Sequence, residues 1–148
     1  MPPGTDKFSN ESRKIMEQLH TGIKGYAETT VNSSNTASSV GSGLLDVFST
    51  PDMIGLMEIA AQSSVAPFLE KGQGTVGMRL EVSHLAPTPI GFKVWAETEL
   101  VSVEGRILTF NVTAFSELEK IGEGIHKRCI ISNDRFLSKM NSRYSPQE

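Results

Sequence analysis

The sequence predicts an α+β domain in which one long helix packs against an antiparallel sheet. Two observations support this fold class. Apolar residues recur at helical spacing over residues 51–69, and four later segments alternate apolar and polar residues with short turns between them. With an additional strand at residues 22–31, the predicted order is one strand, one long helix and then an antiparallel meander.

The predicted helix has a defined start and end. Thr50 is expected to be its N-cap, Pro51 suits its first position, and Asp52 complements the positive end of the helix dipole. Pro67 and the turn at residues 71–74 stop it. The residues expected to face the core share helical spacing, and they are Ile54, Met57, Ala61, Val65 and Phe68.

The four later strands are predicted at residues 75–84, 91–103, 107–116 and 121–132. Alternation assigns one face of each strand to the core. The core-facing residues are Val76, Met78, Leu80, Val82 and His84 in the first of these strands, Phe92, Val94, Ala96, Thr98 and Leu100 in the second, and Leu108, Phe110, Val112 and Ala114 in the third. Gly77 interrupts the first of them, which indicates either a bulge or a place where a ligand approaches the backbone.

The chain divides into an extension, a domain and a tail. Residues 1–20 form the extension, with a short helix expected at residues 9–20, and residues 21–138 form the domain. Residues 139–148 form a C-terminal tail. Inside the domain, residues 32–43 are rich in serine and glycine, so a loop is expected there.

Composition and charge narrow the classes of function. The 148 residues are 38% hydrophobic and 21% charged, which is typical of one folded domain with a core. The formal net charge of -3 gives no reason to expect a nucleic acid or an anionic membrane as a partner. The N-terminus lacks the basic start and apolar run of a secretory signal, and Cys129 is the single cysteine, so we expect a cytoplasmic protein without an internal disulfide.

Thr50, Glu58 and His84 supply a hydroxyl, a carboxylate and an imidazole, which are the groups needed for acyl transfer or hydrolysis. Glu58 shares the apolar stripe of the helix or its edge, where partial desolvation suits it to acid or base work. His84 lies at the end of a strand, on the core-facing side. Each residue also has a structural explanation: Thr50 as a cap, Glu58 as a partner of Gln62 or water, and His84 as a core histidine.

Arg128 is a further candidate for ligand binding, and it lies two residues after His126 on the same face of the last strand. Its guanidinium suits a phosphate or the thioester end of a ligand, although a strand arginine is more often a solvated charge. The sequence has no cysteine and histidine cluster with zinc spacing, no Walker A loop and no G-x-S-x-G elbow. Metal chemistry and nucleotide redox chemistry are therefore not expected.

Several motifs keep their order and spacing over residues 40–136, and together they resemble the fluoroacetyl-CoA-thioesterase-like family of hotdog-fold proteins. The motifs are residues 50–58, residues 74–77, His84 with residues 88–91, residues 103–106 and residues 121–128. Each motif alone is weak, and the combination is specific. The chain departs from the family before the helix, where residues 32–45 contain no aromatic side chain, so selectivity for a fluorinated acyl group is not carried over.

The resemblance implies a hotdog fold, in which a five-stranded antiparallel sheet wraps the long helix, and a homodimer or higher oligomer made by joining sheets. It also implies hydrolysis of a short-chain acyl-CoA to the free acid and CoA. By position, it implies that Thr50, Glu58 and His84 are catalytic, that Gly77 helps to hold the thioester carbonyl, and that Arg128 binds substrate. It implies no metal and no cofactor, since coenzyme A is part of the substrate.

Several alternatives stay open at this point. Water can attack the thioester directly, or Thr50 can form a transient acyl intermediate, and the thioester can belong to CoA or to a carrier protein. A non-catalytic protein that binds acyl-CoA or a small carboxylate is a second function on the same scaffold, although such a protein does not need Thr50, Glu58 and His84 together. A hydratase-like hotdog enzyme fits this set of residues less well than a thioesterase does.

Overall fold

The computed structural model describes residues 19–146, and this part of the chain contains five strands and three α-helices. In chain order the elements are β1 (Lys24–Thr30), α1 (Ala37–Val40), α2 (Thr50–Val65), a 3₁₀ turn (Ala66–Phe68), β2 (Gln73–His84), β3 (Lys93–Glu104), β4 (Ile107–Ser116), β5 (Lys120–Ser132) and α3 (Asn133–Tyr144). The strands form one antiparallel sheet that curls around α2. The predicted α+β class and its five strands are confirmed.

The order of the strands across the sheet is β1-β3-β4-β5-β2. A simple meander would place β2 beside β3, and this part of the prediction is wrong, because β2 pairs with β5 instead. The segment between β2 and β3 carries the chain from one edge of the sheet to a position beside the other edge, where β3 pairs with β1. As a result, α2 connects the two edge strands and lies across the concave face.

The core is the layer between α2 and the concave face of the sheet. The predicted inward residues of β3 and β4 are all buried, apart from Phe92, which precedes β3 and is half-exposed. On α2 the buried face is Met53, Leu56, Met57, Ala60, Ala61 and Val65. Ile54 and Phe68 are only partly buried, so the buried face of the helix is rotated slightly from the prediction. Gly25 lets β1 approach the helix closely, because a Cβ there would overlap the carbonyl oxygen of Ala60.

A β-bulge divides β2 into two parts with opposite alternation. The register against β5 shifts between Gly77 and Arg79, so the bulge expected at Gly77 is confirmed. Because one residue is inserted there, Met78 does not face the core as predicted and is 55% exposed. Val76 also lies on the outer face, since its neighbour Thr75 points inward to hydrogen-bond with buried Arg128. The inward positions resume after the bulge and are Leu80, Val82 and His84.

The N-cap of α2 is Ser49, and the prediction of Thr50 as the cap is wrong. The Ser49 side chain accepts a hydrogen bond from the backbone N–H of Asp52 at 3.0 Å, and its backbone is extended, with φ -76° and ψ 147°. Thr50 is already the first helical residue. Both hydroxyl side chains can cap a helix, and only the backbone conformation decides which of the two does so. The consequence is that the Thr50 hydroxyl has no capping role.

The segments outside the core differ from the prediction in two places. The loop at residues 32–43 includes the short helix α1, which begins with a capping box between Thr36 and Ser39. The helix α3 was not predicted, and the predicted boundary at residue 138 falls inside it. The helix expected at residues 9–20 lies outside the described residues except for its last two, which are not helical. Within residues 19–146, every helix is too short or too polar to cross a membrane.

Replacing Ser49 with alanine is expected to lower the free energy of unfolding by about 1 kcal/mol, since it removes the N-cap of α2. Urea denaturation of Ser49→Ala beside Thr50→Ala measures the difference. We expect the Thr50 variant to lose less free energy of unfolding, because the Thr50 hydroxyl does not cap the helix. A larger loss in the Thr50 variant would contradict this assignment of the cap.

Candidate active site

Thr50 and His84 form a hydrogen-bonded pair at the N-terminal end of α2. The distance between Oγ1 of Thr50 and Nδ1 of His84 is 2.7 Å. The pair forms because α2 begins where β2 ends, and because Ser49 caps the helix and leaves the Thr50 hydroxyl free. A hydroxyl in contact with an imidazole nitrogen is placed for proton transfer. The helix N-terminus adds a positive potential at the same point.

The imidazole of His84 is partly buried, and this sets its charge. Burial lowers the pKa of His84, because the charged form loses solvation, and the nearby backbone of Ala86 offsets part of the effect. The neutral ring therefore dominates at neutral pH. Nε2 of His84 is buried and has no hydrogen-bond partner within residues 19–146. Nδ1 of the ring is thus hydrogen-bonded to Thr50, while Nε2 is available to another polar group.

A pocket of about 320 Å³ opens beside this pair, which is the size of a site for a small ligand. Thr50 and His84 supply polar groups on its wall, together with Ser42. The other lining residues are small or apolar, and they are Ala37, Val47, Phe48, Leu85, Ala86 and Pro87. The pocket therefore places a hydroxyl and an imidazole beside an open, partly apolar space.

Glu58 lies about two helical turns after Thr50 on α2. Its carboxylate forms an ion pair with Arg128 of β5. The distance between Oε2 of Glu58 and Nη1 of Arg128 is 3.4 Å. Gln62 is therefore not the partner of Glu58. Arg128 is only 6% exposed, so the alternative of a solvated strand charge is wrong. Burial lowers the pKa of Arg128, and the carboxylate of Glu58 partly opposes this by favouring the charged form.

Arg128 is held by several further hydrogen bonds. Its Nε donates to Oγ1 of Thr75 at 2.8 Å, and its Nη2 donates to the backbone carbonyl of Thr75 at 3.0 Å. Its Nη1 also donates to Nε2 of His126 at 3.1 Å. The charge is thus paired and hydrogen-bonded inside the protein, as a buried arginine requires. Whether Arg128 contacts substrate stays a prediction.

His126 is completely buried and was not assigned a role from the sequence. Its Nδ1 lies 2.8 Å from the backbone carbonyl of Arg79, so this nitrogen is the donor. Burial first, and then the charge of Arg128, lower the pKa of His126, and the ring is neutral. The sequence showed that His126 and Arg128 lie on the same face of the strand. It did not show that the two side chains are hydrogen-bonded to each other.

Gly77 lies directly against this second group of polar side chains. A Cβ at Gly77 would lie 2.8 Å from Oε2 of Glu58, 3.4 Å from Cε1 of His126 and 3.5 Å from Nη1 of Arg128. Glycine therefore permits the backbone of β2 to approach the carboxylate. The group that lies against Gly77 is thus the carboxylate of Glu58, and the approach of a ligand to this backbone stays a prediction.

The structure brings the predicted site residues together in two groups. Thr50 pairs with His84, while Glu58 lies with Gly77 and Arg128. Thr50 and Glu58 are eight residues apart on α2, or about 12 Å along the helix axis. His84 and Gly77 are seven residues apart on β2, or about 23 Å along an extended strand. Within residues 19–146 of one chain, no hydrogen bond joins the two groups.

Comparison with known proteins gives a consistent result. A sequence model of the family described as fluoroacetyl-CoA-specific thioesterase matches residues 31–134. A relative from Streptantibioticus cattleyicolor, named fluoroacetyl-CoA thioesterase, is 42% identical over 98 residues, which are 66% of this chain and 70% of the relative. The match to the family model covers the whole of α2, β2, β3, β4 and β5.

Solved structures agree with the sequence matches. A variant of the fluoroacetyl-CoA-specific thioesterase in complex with fluoroacetate and CoA is similar with a TM-score of 0.76 and 35% identity, over 80% of this chain and 99% of that one. A hot-dog-like protein from Thermanaerovibrio acidaminovorans has a TM-score of 0.80 at 24% identity, over 88% of this chain and 97% of that one, and it shows the fold alone. The chain therefore belongs to the fluoroacetyl-CoA-specific thioesterase family and has the hotdog fold predicted from its motifs.

Proposed function

We propose that this thioesterase hydrolyses a short-chain acyl-CoA to the free acid and CoA. The observation that carries the proposal is the 2.7 Å contact between Thr50 and His84 beside a pocket sized for a small acyl group. A fluorinated acyl group is not part of the proposal, since residues 32–45 lack an aromatic side chain. The reaction as proposed needs no metal or cofactor, and the single free cysteine, Cys129, supports a cytoplasmic location.

The neutral imidazole of His84 is the proposed base. In one route it takes the proton of the Thr50 hydroxyl while Oγ1 attacks the thioester carbonyl carbon. The C–S bond breaks, the CoA sulfur takes up the proton from His84, and water then hydrolyses the acyl group on Thr50. In the other route, a water oriented by Thr50 and Glu58 attacks the same carbon directly while His84 takes its proton. The C–S bond then breaks, and the CoA sulfur takes up that proton from His84. Both routes need His84 neutral and in contact with Thr50.

The second group of residues has a supporting role in this proposal. Glu58 orients water or accepts a proton, and the backbone N–H of Gly77 stabilises the oxyanion that forms on the thioester carbonyl. Arg128 acts mainly by holding Glu58, because its observed hydrogen bonds already run to Thr75, His126 and Glu58. These bonds leave Arg128 few donors for a direct contact with substrate.

A homodimer would complete the proposed site. β2 is an edge strand of 12 residues, so one row of its backbone groups has no partner in the sheet of a single chain. Gly77 lies near its start and His84 at its end. If two copies join antiparallel through β2, the Glu58 group of one copy comes beside the Thr50 and His84 pair of the other. The dimer is thus proposed to build two composite sites.

Free-thiol release from a panel of short acyl-CoAs tests the activity. We expect Thr50→Ala and His84→Ala to lower turnover at least about 100-fold, which is the scale of lost acid-base or nucleophilic catalysis. Ser63→Ala removes an exposed hydroxyl from the same helix and is the matched control, with unchanged turnover expected. Tight binding of acyl-CoA without turnover by the folded wild type would instead support the non-catalytic binding protein.

The activity is expected to fall in acid. Because burial lowers the pKa of His84, the ring is neutral at pH 7 and becomes charged only below its usual value of 6.5. The ratio kcat/KM should therefore be level from neutral pH down to about 6.5 and should decline as the pH falls further. A decline that already begins above pH 6.5, or an acid decline that is unchanged in the residual activity of His84→Ala, would contradict a neutral His84 with a lowered pKa as the base.

Mixed dimers test the composite site. In a dimer of one Thr50→Ala chain and one Glu58→Gln chain, purified through two different tags, one site carries both substitutions and the other site carries neither. We expect such a dimer to regain about half of the wild-type rate, although each variant alone is inactive. If each site is built from one chain, the mixed dimer stays inactive. A stable monomer in light scattering would also contradict the proposal.

A further inference from the structure

One buried residue near Glu58 is not used by the proposed reaction. His126 lies on β5, and its two ring nitrogens contact two different groups. The carbonyl oxygen of Arg79 can only accept, so Nδ1 carries the proton and donates to it. This leaves Nε2 with a lone pair, which accepts from Nη1 of Arg128 at 3.1 Å. Because Arg79 directly follows the bulge in β2, the ring is fixed between two strands.

The guanidinium of Arg128 has five N–H groups, and within residues 19–146 it makes four hydrogen bonds. Thr75 occupies one edge of the fork, since its hydroxyl and its carbonyl accept from Nε and Nη2. Nη1 is shared between His126 and Glu58. Glu58 is thus contacted through a single oxygen, Oε2, at 3.4 Å. An arginine with free donors often takes both oxygens of a carboxylate in a bidentate pair.

The other oxygen of Glu58 differs from Oε2. Oε1 has no hydrogen-bond partner within residues 19–146, and the Glu58 side chain is 39% exposed. Gly77 lies on the side of Oε2, where a Cβ would lie 2.8 Å from that oxygen, so it does not cover Oε1. Oε1 is therefore the oxygen that is open to water or to a hydroxyl, provided that Arg128 does not turn towards it.

We propose that His126 is a positioning residue that keeps Arg128 on one oxygen of Glu58 and leaves the other oxygen free for the reaction. The inference rests on the proposed thioesterase function for its effect on rate, and on the contacts of His126 for its geometry. A neutral acceptor is needed at this point, because a positive group would repel Arg128 and an apolar group would release Nη1. The rigid ring, anchored to the bulge, provides that acceptor.

Two substitutions of similar size separate this role from simple packing. Both His126→Gln and His126→Leu remove the ring and its bond to Arg79, but only glutamine keeps an acceptor near the position of Nε2. We expect the leucine variant to lose about 10-fold to 100-fold in kcat with little change in KM, because the carboxylate is displaced from its working geometry. The glutamine variant should keep most of the wild-type kcat. Equal losses in the two variants would overturn the proposal.

A second readout does not depend on activity. Crystal structures of the two variants should show Arg128 on both oxygens of Glu58 with leucine, and on one oxygen with glutamine. A leucine variant that keeps the single-oxygen contact would overturn the proposal, whatever its turnover. If the wild type shows no thioesterase activity, the proposed function fails, and these structures still decide the geometry.

If the leucine variant does not fold, nitrogen NMR of the wild type provides the test. The ring of His126 must carry its proton on Nδ1 and must have an unprotonated, hydrogen-bonded Nε2. A proton on Nε2 would leave Arg128 without this acceptor and would overturn the proposal.

Discussion

The packing of α2 against the concave face of the sheet is the constraint on which the other features depend. Its buried side chains fill the space between helix and strands, and glycines allow the approach to be close. A Cβ at Gly25 would overlap the backbone of Ala60, and a Cβ at Gly122 would lie 2.8 Å from Cε of Met53. Burial on this scale stabilises the domain in proportion to the apolar area removed from water. It also fixes where each polar residue of the helix meets the sheet.

This packing brings together the two groups of polar residues in the candidate site. The first turn of α2 meets the end of β2, which joins Thr50 to His84, and the third turn meets β5, which joins Glu58 to Arg128. The first group faces a pocket and is open to a ligand. The second group contains the buried positive charge of Arg128 between the helix and the sheet, and burying this charge costs solvation energy. The cost is offset because Thr75, His126 and Glu58 supply hydrogen-bond acceptors. Under the proposed function, this network has the further role of holding Glu58 in place.

The separation of the two groups gives the edge strand β2 a functional meaning. An unpaired edge is normally a liability, which proteins protect with charges or bulges. Here the residues near its two ends belong to the two halves of the candidate site, and the bulge lies at the half that contains Glu58. In the proposed dimer, the same strand would form the interface and carry the site, so assembly and chemistry would depend on one element.

The sequence by itself determined the fold class, the five strands, the inward faces of β3 and β4, and the family. Local periodicity and spacing contain this information, since alternation within one strand needs no knowledge of its neighbours. The tertiary structure alone decided that β2 pairs with β5, that the bulge turns Met78 outward, and that Ser49 rather than Thr50 caps the helix. It also decided that Arg128 is buried with His126. These outcomes depend on register and on contacts between residues far apart in the chain, which no local pattern specifies.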